Sequence, residues 1–232
     1  MTAARAHHRV VLVGCGGLGV PAAWTLAAAG VGSLVLVDDD TVEASNLHRQ
    51  VLYREADVGY AKVDALALAL VDRFPHLRVE AVAQRIGGVD DLLPLLEGAT
   101  GLFEGTDDAA QKFASSDALV ALRCQGAPVG VVAAAIGRRG QWFGQRPDGP
   151  CFRCLFEEPP PAALVQSCVV AGVLGPSVLE VGAWAARTLL RLLDGRPDPA
   201  AGALVRRDAT GFARTPVQRA ADCRCQGPVA AP

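Results

Sequence analysis

Six residues, Gly14-Cys15-Gly16-Gly17-Leu18-Gly19, constrain this chain more than any other stretch. They follow Arg9-Val10-Val11-Leu12-Val13, a β-branched run suited to a buried parallel strand. They lead into an Ala-rich helix from about Leu18 to Ala29, which Gly30 ends. Glycines at this spacing, between a strand and a helix, let the backbone approach phosphates closely. The helix N-terminus adds N–H donors and the positive end of its dipole. Tight strand–helix packing with no ligand is the alternative use of the same glycines. The run Ser33 to Asp38 is predicted as a second buried strand, parallel to the first and joined to it right-handedly. Asp38 ends that strand, where a carboxylate can accept ribose hydroxyls.

Strand and helix then keep alternating. Helices are expected over Ala61–Phe74 and Asp107–Leu122, with a short helix or turn over Leu92–Leu96. Strands are expected over Val79–Val82, Gly101–Glu104 and Pro128–Ala135. This pattern predicts a doubly wound, Rossmann-like α/β sheet that is mainly parallel. After Gly140 the character changes. Gln141-Trp142-Phe143 reads as an antiparallel strand, and two more are expected near Leu204 and Phe212. A helix over Pro176–Leu193 is apolar on most faces and is expected to pack on the sheet or on a second subunit.

Composition narrows the function. Half the residues are hydrophobic (51%), so a core forms without staples and a disordered chain is excluded. The net charge of −2 leaves no basic excess for phosphate neutralisation, which excludes nucleic acid as a main partner. No apolar run reaches membrane length: Arg123, Gln125 and Pro128 cut one, and Glu180 and Arg187 another. Arg5 and Arg9 before the apolar run imitate a secretion signal, but cleavage after it would remove the glycine loop. The expected compartment is the cytoplasm, in keeping with seven cysteines, an odd number with two close pairs.

The polar string Asp38-Asp39-Asp40-Thr41-Val42-Glu43-Ala44-Ser45-Asn46-Leu47-His48-Arg49-Gln50 has no use in a simple nicotinamide or flavin oxidoreductase. Gly59-Tyr60-Ala61-Lys62 adds a lysine at a helix start. An arginine and a lysine converging on a helix N-terminus can neutralise a triphosphate. A solvated charged loop is the plainer alternative. Cys151-x-x-Cys154 and Cys223-x-Cys225 offer four thiols, the ligand set of a closed structural zinc. A redox dithiol at Cys151 and Cys154 is its rival. Cys15 and Cys124 read as buried small hydrophobes. His7 and His8 read as surface residues, and the three Trp as core or interface.

Taken in order from Val10 to Cys225, the strings GCGGLG, GVGSLVLVDDDTVEASNLHRQ, VGYAKV, EGTDD, PCFRC and SCVVAGVLGP resemble the HesA/MoeB/ThiF family of ubiquitin-activating-enzyme-like adenylyltransferases. The resemblance implies ATP-dependent adenylation of the C-terminal Gly-Gly carboxylate of a ubiquitin-like or sulfur-carrier protein, by a homodimer. It implies a nucleotide site of Gly14, Gly16, Gly17, Gly19, Asp38, Asp40, Asn46, Arg49, Gln50, Lys62 and Asp107. In that site Asp38 holds the ribose, Asn46, Arg49 and Lys62 meet the phosphates, and Asp107 positions magnesium. It points to zinc at Cys151, Cys154, Cys223 and Cys225, although members usually end in C-x-x-C. Cys168 matches a cysteine that in some members takes the carrier covalently, so Arg49, Lys62, Asp107 and Cys168 form the expected catalytic set. The chain then reads as one domain, residues 1–139 a nucleotide half and 140–232 a half with knuckles, crossover loop and carrier or dimer contacts.

The sequence also departs from the family. Thr106-Asp107-Asp108 stands for its TDN, and Lys112 for the arginine that follows in many members. Members usually carry an N-terminal segment that delivers an arginine across a dimer. Here only Arg5 stands in that region, and the chain reads as a minimal adenylation module. Alternatives are a conjugation enzyme with a thioester at Cys168, adenylation of a peptide or tRNA base, and a catalytically dead carrier-binding partner. Asp107 serves equally as a helix N-cap.

Overall fold

A computed structural model describes residues 3–124, 126–161 and 172–227. The first strand, β1 (Arg9–Val13), sends Val10 and Leu12 to one face and Val11 and Val13 to the other, all buried. A strand apolar at successive positions is one covered on both sides. The chain crosses through α1 (Gly19–Ala28) to β2 (Ser33–Val37), parallel to β1 in the register Arg9↔Ser33 to Val13↔Val37. It crosses again through α2 (Lys62–Arg73) to β3 (Arg78–Val82), parallel to β2.

The direction then reverses. After α3 (Val89–Leu92), β4 (Gly101–Glu104) pairs with the other side of β1, and α4 (Ala109–Ala121) leads to β5 (Val129–Ile136), parallel to β4. β6 (Arg139–Gln145) turns back antiparallel to β5. α5 (Gly175–Leu193) follows, and then β7 (Ala203–Asp208) and β8 (Gly211–Pro216) extend the antiparallel edge. The sheet order is β3-β2-β1-β4-β5-β6-β7-β8. Because the chain winds away from β1 in both directions, the C-terminal ends of β1 and β4 flank a crevice.

Helices α1, α2 and α5 cover one face of this sheet, through Leu26, Leu66, Val181 and Leu189 among others. Helices α3 and α4 cover the other face, where Leu92, Ala118 and Leu119 pack on Val11, Val35 and Leu102. The apolar helix α5 finds its cover within the chain. A Cβ on Gly182 would stand 2.5 Å from the Leu18 carbonyl oxygen, so α1 and α5 touch backbone to backbone. Only Pro176, Trp184 and Arg187 of α5 are exposed, so this helix gives no argument for a second subunit. No helix among the described residues is long and apolar enough to cross a membrane.

Some local expectations fail. His8 is buried, with its Nδ1 3.1 Å from Thr100 Oγ1, and burial pushes its pKa down. Cys15 is buried as expected, but Cys124 is only half-buried. Trp142 lies in the core, while Trp24 and Trp184 are about one-third exposed (36% and 38%).

Arg5 sits at the end of the sheet away from the crevice. Its Nε and Nη2 donate to the two carboxylate oxygens of Asp194 at 2.9 and 2.7 Å, and its Nη1 donates to the Ala29 carbonyl. This pair ties the start of the chain to the C-terminal ends of α1 and α5, and holds the Asp194 pKa below its ordinary value of 3.8. A depressed carboxylate stabilises the fold above its unfolded pKa and loses that effect as the pH falls through the folded value. Asp194→Asn should therefore lower stability at neutral pH by about 1 kcal/mol. In urea titrations the gap between variant and parent should close as the pH falls below 3.8.

Candidate functional site

The glycine loop divides between packing and openness. Gly14 adopts φ +91°, and a Cβ there would meet Thr106 N at 2.8 Å. A Cβ on Gly19 would lie 1.8 Å from the Gly14 carbonyl oxygen, so α1 can begin only on a glycine. Gly17 backs onto Val178. At Gly16 the nearest atom to such a Cβ is Gln50 Nε2, 3.7 Å away, so that backbone is open to a ligand. The motif is therefore tightly packed at Gly14, Gly17 and Gly19 and open at Gly16.

The Cys15 peptide between them is held on both sides. Its N–H donates to Asp38 Oδ2 at 2.6 Å, and its carbonyl accepts from the Tyr53 hydroxyl at 2.7 Å. That hydroxyl also lies 3.2 Å from the carbonyl of Lys62, the first residue of α2. The other Asp38 oxygen accepts from the Asp40 N–H at 2.9 Å. Asp40 in turn pairs with Lys62 Nζ at 2.6 Å. Burial raises the Asp38 pKa, and the nearby Lys62 charge works against that rise. The sequence alone does not mark Tyr53 as part of the site. Its signal was a phenol closing the string Arg49-Gln50-Val51-Leu52-Tyr53.

Two 3-10 turns lie between β2 and α2, Ala44–Asn46 within the polar string and Glu55–Asp57 after it. The Arg49 guanidinium donates to Asn46 Oδ1, and Asn46 Nδ2 donates to Glu43 Oε2 at 3.1 Å. Gln50 is 2% exposed, and its Oε1 has no hydrogen-bond partner among the described residues. A buried acceptor left unpaired at the wall of a cleft suits a donor on a ligand.

Across the crevice, β4 ends in the buried Glu104. Asp108, not Asp107, caps α4, accepting from Ala110 N and Gln111 N, and it pairs with Arg85 at 2.5 Å. The two adjacent aspartates divide the roles, because one carboxylate turns back to the helix and the other is left at the cleft. Asp107 is exposed there, with no hydrogen bond or ion pair among the described residues.

These parts enclose one cleft of about 1130 Å³. Gly14, Gly16, Gly17, Asp38, Asp40, Asn46, Arg49, Gln50, Lys62 and Asp107 all line it. Gly19 does not, since it packs against Gly14. Cys168 lies outside the described residues.

A second cluster lies beyond β6. Cys151 precedes the 3-10 turn Phe152–Cys154, and Cys223 precedes the turn Arg224–Gln226. Sγ of Cys151 is 3.9 Å from that of Cys154 and 3.4 Å from that of Cys223, and the Cys154–Cys225 separation is 3.3 Å. All four sulfurs lie within 4.8 Å of one another. A tetrahedral metal with bonds of about 2.3 Å spaces its sulfurs about 3.8 Å apart, so this set can hold one. The short C-x-C spacing still brings its second cysteine into the cluster. Burial pushes the Cys151 thiol up, and the Cys225 thiol to about 11. Cys154 and Cys223 are half-buried, and four thiols this close become thiolates together only beside a cation.

Tyr53→Phe removes the hydroxyl that, among the described residues, joins the glycine loop to α2. It should lower stability by about 1 kcal/mol in urea titrations. An unchanged midpoint would show that this hydroxyl holds neither carbonyl.

The ThiF family profile matches residues 3–227. The adenylyltransferase and sulfurtransferase uba4 of Emericella nidulans is 40% identical over 194 residues, covering 80% of this chain and 39% of that protein. The adenylyltransferase and sulfurtransferase MOCS3 of Drosophila grimshawi is 37% identical over 201 residues, covering 86% and 44%. The chain thus spans about two-fifths of the length of the curated relatives it matches. Among solved structures, E. coli MccB with ATP has a TM-score of 0.81 at 22% identity, over 96% of this chain and 68% of that one. E. coli MccB with MccA-N7isoASN gives 0.82 at 21%, over the same shares. At such identities these two likenesses speak for the fold alone. The family rests on the profile, which spans the glycine loop, the cleft and both cysteine knuckles, and on relatives 37–40% identical: this chain belongs to the ThiF family.

Proposed function

We propose that the chain uses ATP to adenylate the C-terminal carboxylate of a ubiquitin-like or sulfur-carrier protein ending in Gly-Gly, with release of pyrophosphate. The observation that carries this reading is the single cleft in which the glycine loop, Arg49, Lys62 and Asp107 meet at the ends of β1 and β4. The names of the uba4 and MOCS3 relatives support the adenylyl-transfer step.

The chemistry needs little beyond this set. A C-terminal carboxylate is ionised at neutral pH, so no general base is required. One of its oxygens attacks the α-phosphorus, forming a new P–O bond. The bond from that phosphorus to the bridging oxygen breaks, and pyrophosphate leaves with the electron pair. The protein must bring two anions together and stabilise charge on the leaving group. Arg49 and Lys62, with Asn46, take the phosphates. Lys62 can do so by exchanging its 66%-exposed partner Asp40 for a phosphate oxygen. Asp38 takes the ribose, and the unpaired Gln50 Oε1 accepts a hydrogen bond from the nucleotide. Asp107 is a free hard-oxygen donor that suits magnesium, which would supply positive charge at the pyrophosphate. Cys168 is the candidate acceptor for a following transfer, in which its thiolate attacks the acyl carbon and AMP leaves.

The four clustered cysteines are assigned to structural zinc, a role that a reducing cytoplasmic setting suits. The homodimer stays in the proposal through Trp24, Leu68 and Val71, exposed on α1 and α2, rather than through α5.

Pyrophosphate–ATP exchange with magnesium should depend on a small protein ending in Gly-Gly. Arg49→Ala should lower the exchange rate by about a hundredfold or more. Full-rate exchange by that variant would overturn the phosphate assignment. Metal analysis of the purified chain should find zinc in equal proportion to protein. Cys225→Ser should lose the zinc and melt at a lower temperature, and zinc retained by that variant would remove Cys225 from the ligand set.

A further inference from the structure

Lys112 is buried directly beneath the turn that carries Asp107, and all three of its donors are used. Nζ lies 2.5 Å from the Thr106 carbonyl, 2.7 Å from the Ala133 carbonyl of β5 and 3.4 Å from Glu104 Oε1. Glu104 is fully buried, and the same Oε1 accepts from Thr106 N at 2.8 Å and from Thr106 Oγ1 at 2.6 Å. Its other oxygen accepts from Ser115 Oγ of α4 at 3.1 Å. Every polar atom of Thr106 is therefore bound to this pair, amide and hydroxyl to the glutamate and carbonyl to the lysine. On its upper side the turn meets the end of β1, where the Gly105 N–H donates to the Val13 carbonyl at 2.8 Å, and Thr106 crowds Gly14. The next residue is Asp107, whose carboxylate stands free at the cleft.

A fully satisfied buried ion pair is weak evidence for stability, because two apolar or neutral groups of similar shape often replace it without loss. Its use here is geometric. Glu104 and Lys112 join the end of β4, the turn, α4 and β5 at one point, so the backbone direction at Asp107 is set from below. Lys112 borders the cleft, but its three donors are taken and none is left for a phosphate. We infer that Lys112, together with Glu104, is a positioning residue that aims the Asp107 carboxylate at the metal bound with the nucleotide. This rests on the reading of Asp107 as a magnesium ligand.

The test is calorimetric binding of ATP to the full chain, in excess magnesium and in EDTA, with melting temperatures recorded alongside. Lys112→Met alone leaves Glu104 charged and unpaired and can cost the fold, so Glu104→Gln/Lys112→Met is the decisive variant. With both charges gone it should fold, and should bind ATP in EDTA as the parent does. It should lose about tenfold or more of the affinity that magnesium adds, the usual cost of removing a group that orients a metal ligand. Lys112→Arg keeps the charge and should recover most of the magnesium effect, a rescue that a purely structural role does not predict. A folded double variant with the full magnesium effect overturns the inference and leaves the reading of Asp107 intact. If the parent chain binds ATP no better with magnesium, or if Asp107→Asn keeps the effect, the reading of Asp107 falls and the inference with it.

Discussion

The cleft depends on the approach of the Gly14 carbonyl to the start of α1. That oxygen occupies the space a side chain on Gly19 would need, and Gly14 itself adopts a left-handed backbone because the Thr106 turn crowds it. The loop is thus wedged between its own helix and the turn after β4, with no room to relax in either direction. Its intervening peptide is then fixed at both ends, N–H to Asp38 and carbonyl to Tyr53. Such a loop is preorganised: its backbone is already held in place, with the chain open at Gly16, so a ligand there would meet little reorganisation.

The two lysines at the cleft show how burial divides labour between like residues. Each is bound to a carboxylate, and each is almost wholly out of solvent. The partner of Lys62 is 66% exposed, so water or a phosphate can take its place. The partner of Lys112 is completely buried and is shared with Thr106 and Ser115, so nothing displaces it. One ammonium group has a solvent-exposed, exchangeable partner and the other belongs to the scaffold. The difference lies in the acids rather than in the bases.

Much of this was legible in the sequence, for physical reasons. Buried parallel strands are apolar at every position, and runs such as Val10–Val13 and Leu34–Val37 can be little else. The glycine spacing placed the cleft, and the paired cysteines placed the cluster, because both patterns are local. What escaped was settled by contacts distant in sequence. His8 is buried because Thr100, 92 residues later, meets its ring. The cover of α5 comes from Gly182 lying against Leu18, which no periodicity reveals. Asp107 and Asp108 are equivalent until the turn of the chain assigns the helix cap to the second. Lys112 reads only as the stand-in for the family's arginine, and its pairing with Glu104 emerges when the strand neighbour Ala133 is brought beside them.

The cysteine cluster joins residues 72 positions apart, Cys151 and Cys223, and the intervening span holds α5 and β7–β8. It is therefore a clasp that closes late. As the chain leaves the ribosome, β1 to β5 and the crevice walls that they carry are available to fold before the second knuckle exists. The antiparallel edge, by contrast, must wait for a long loop to close before its ends are pinned. Oxidation of the thiols would thus strike this rim while the parallel half of the sheet is already assembled. The two halves share one sheet but are exposed to different hazards during synthesis.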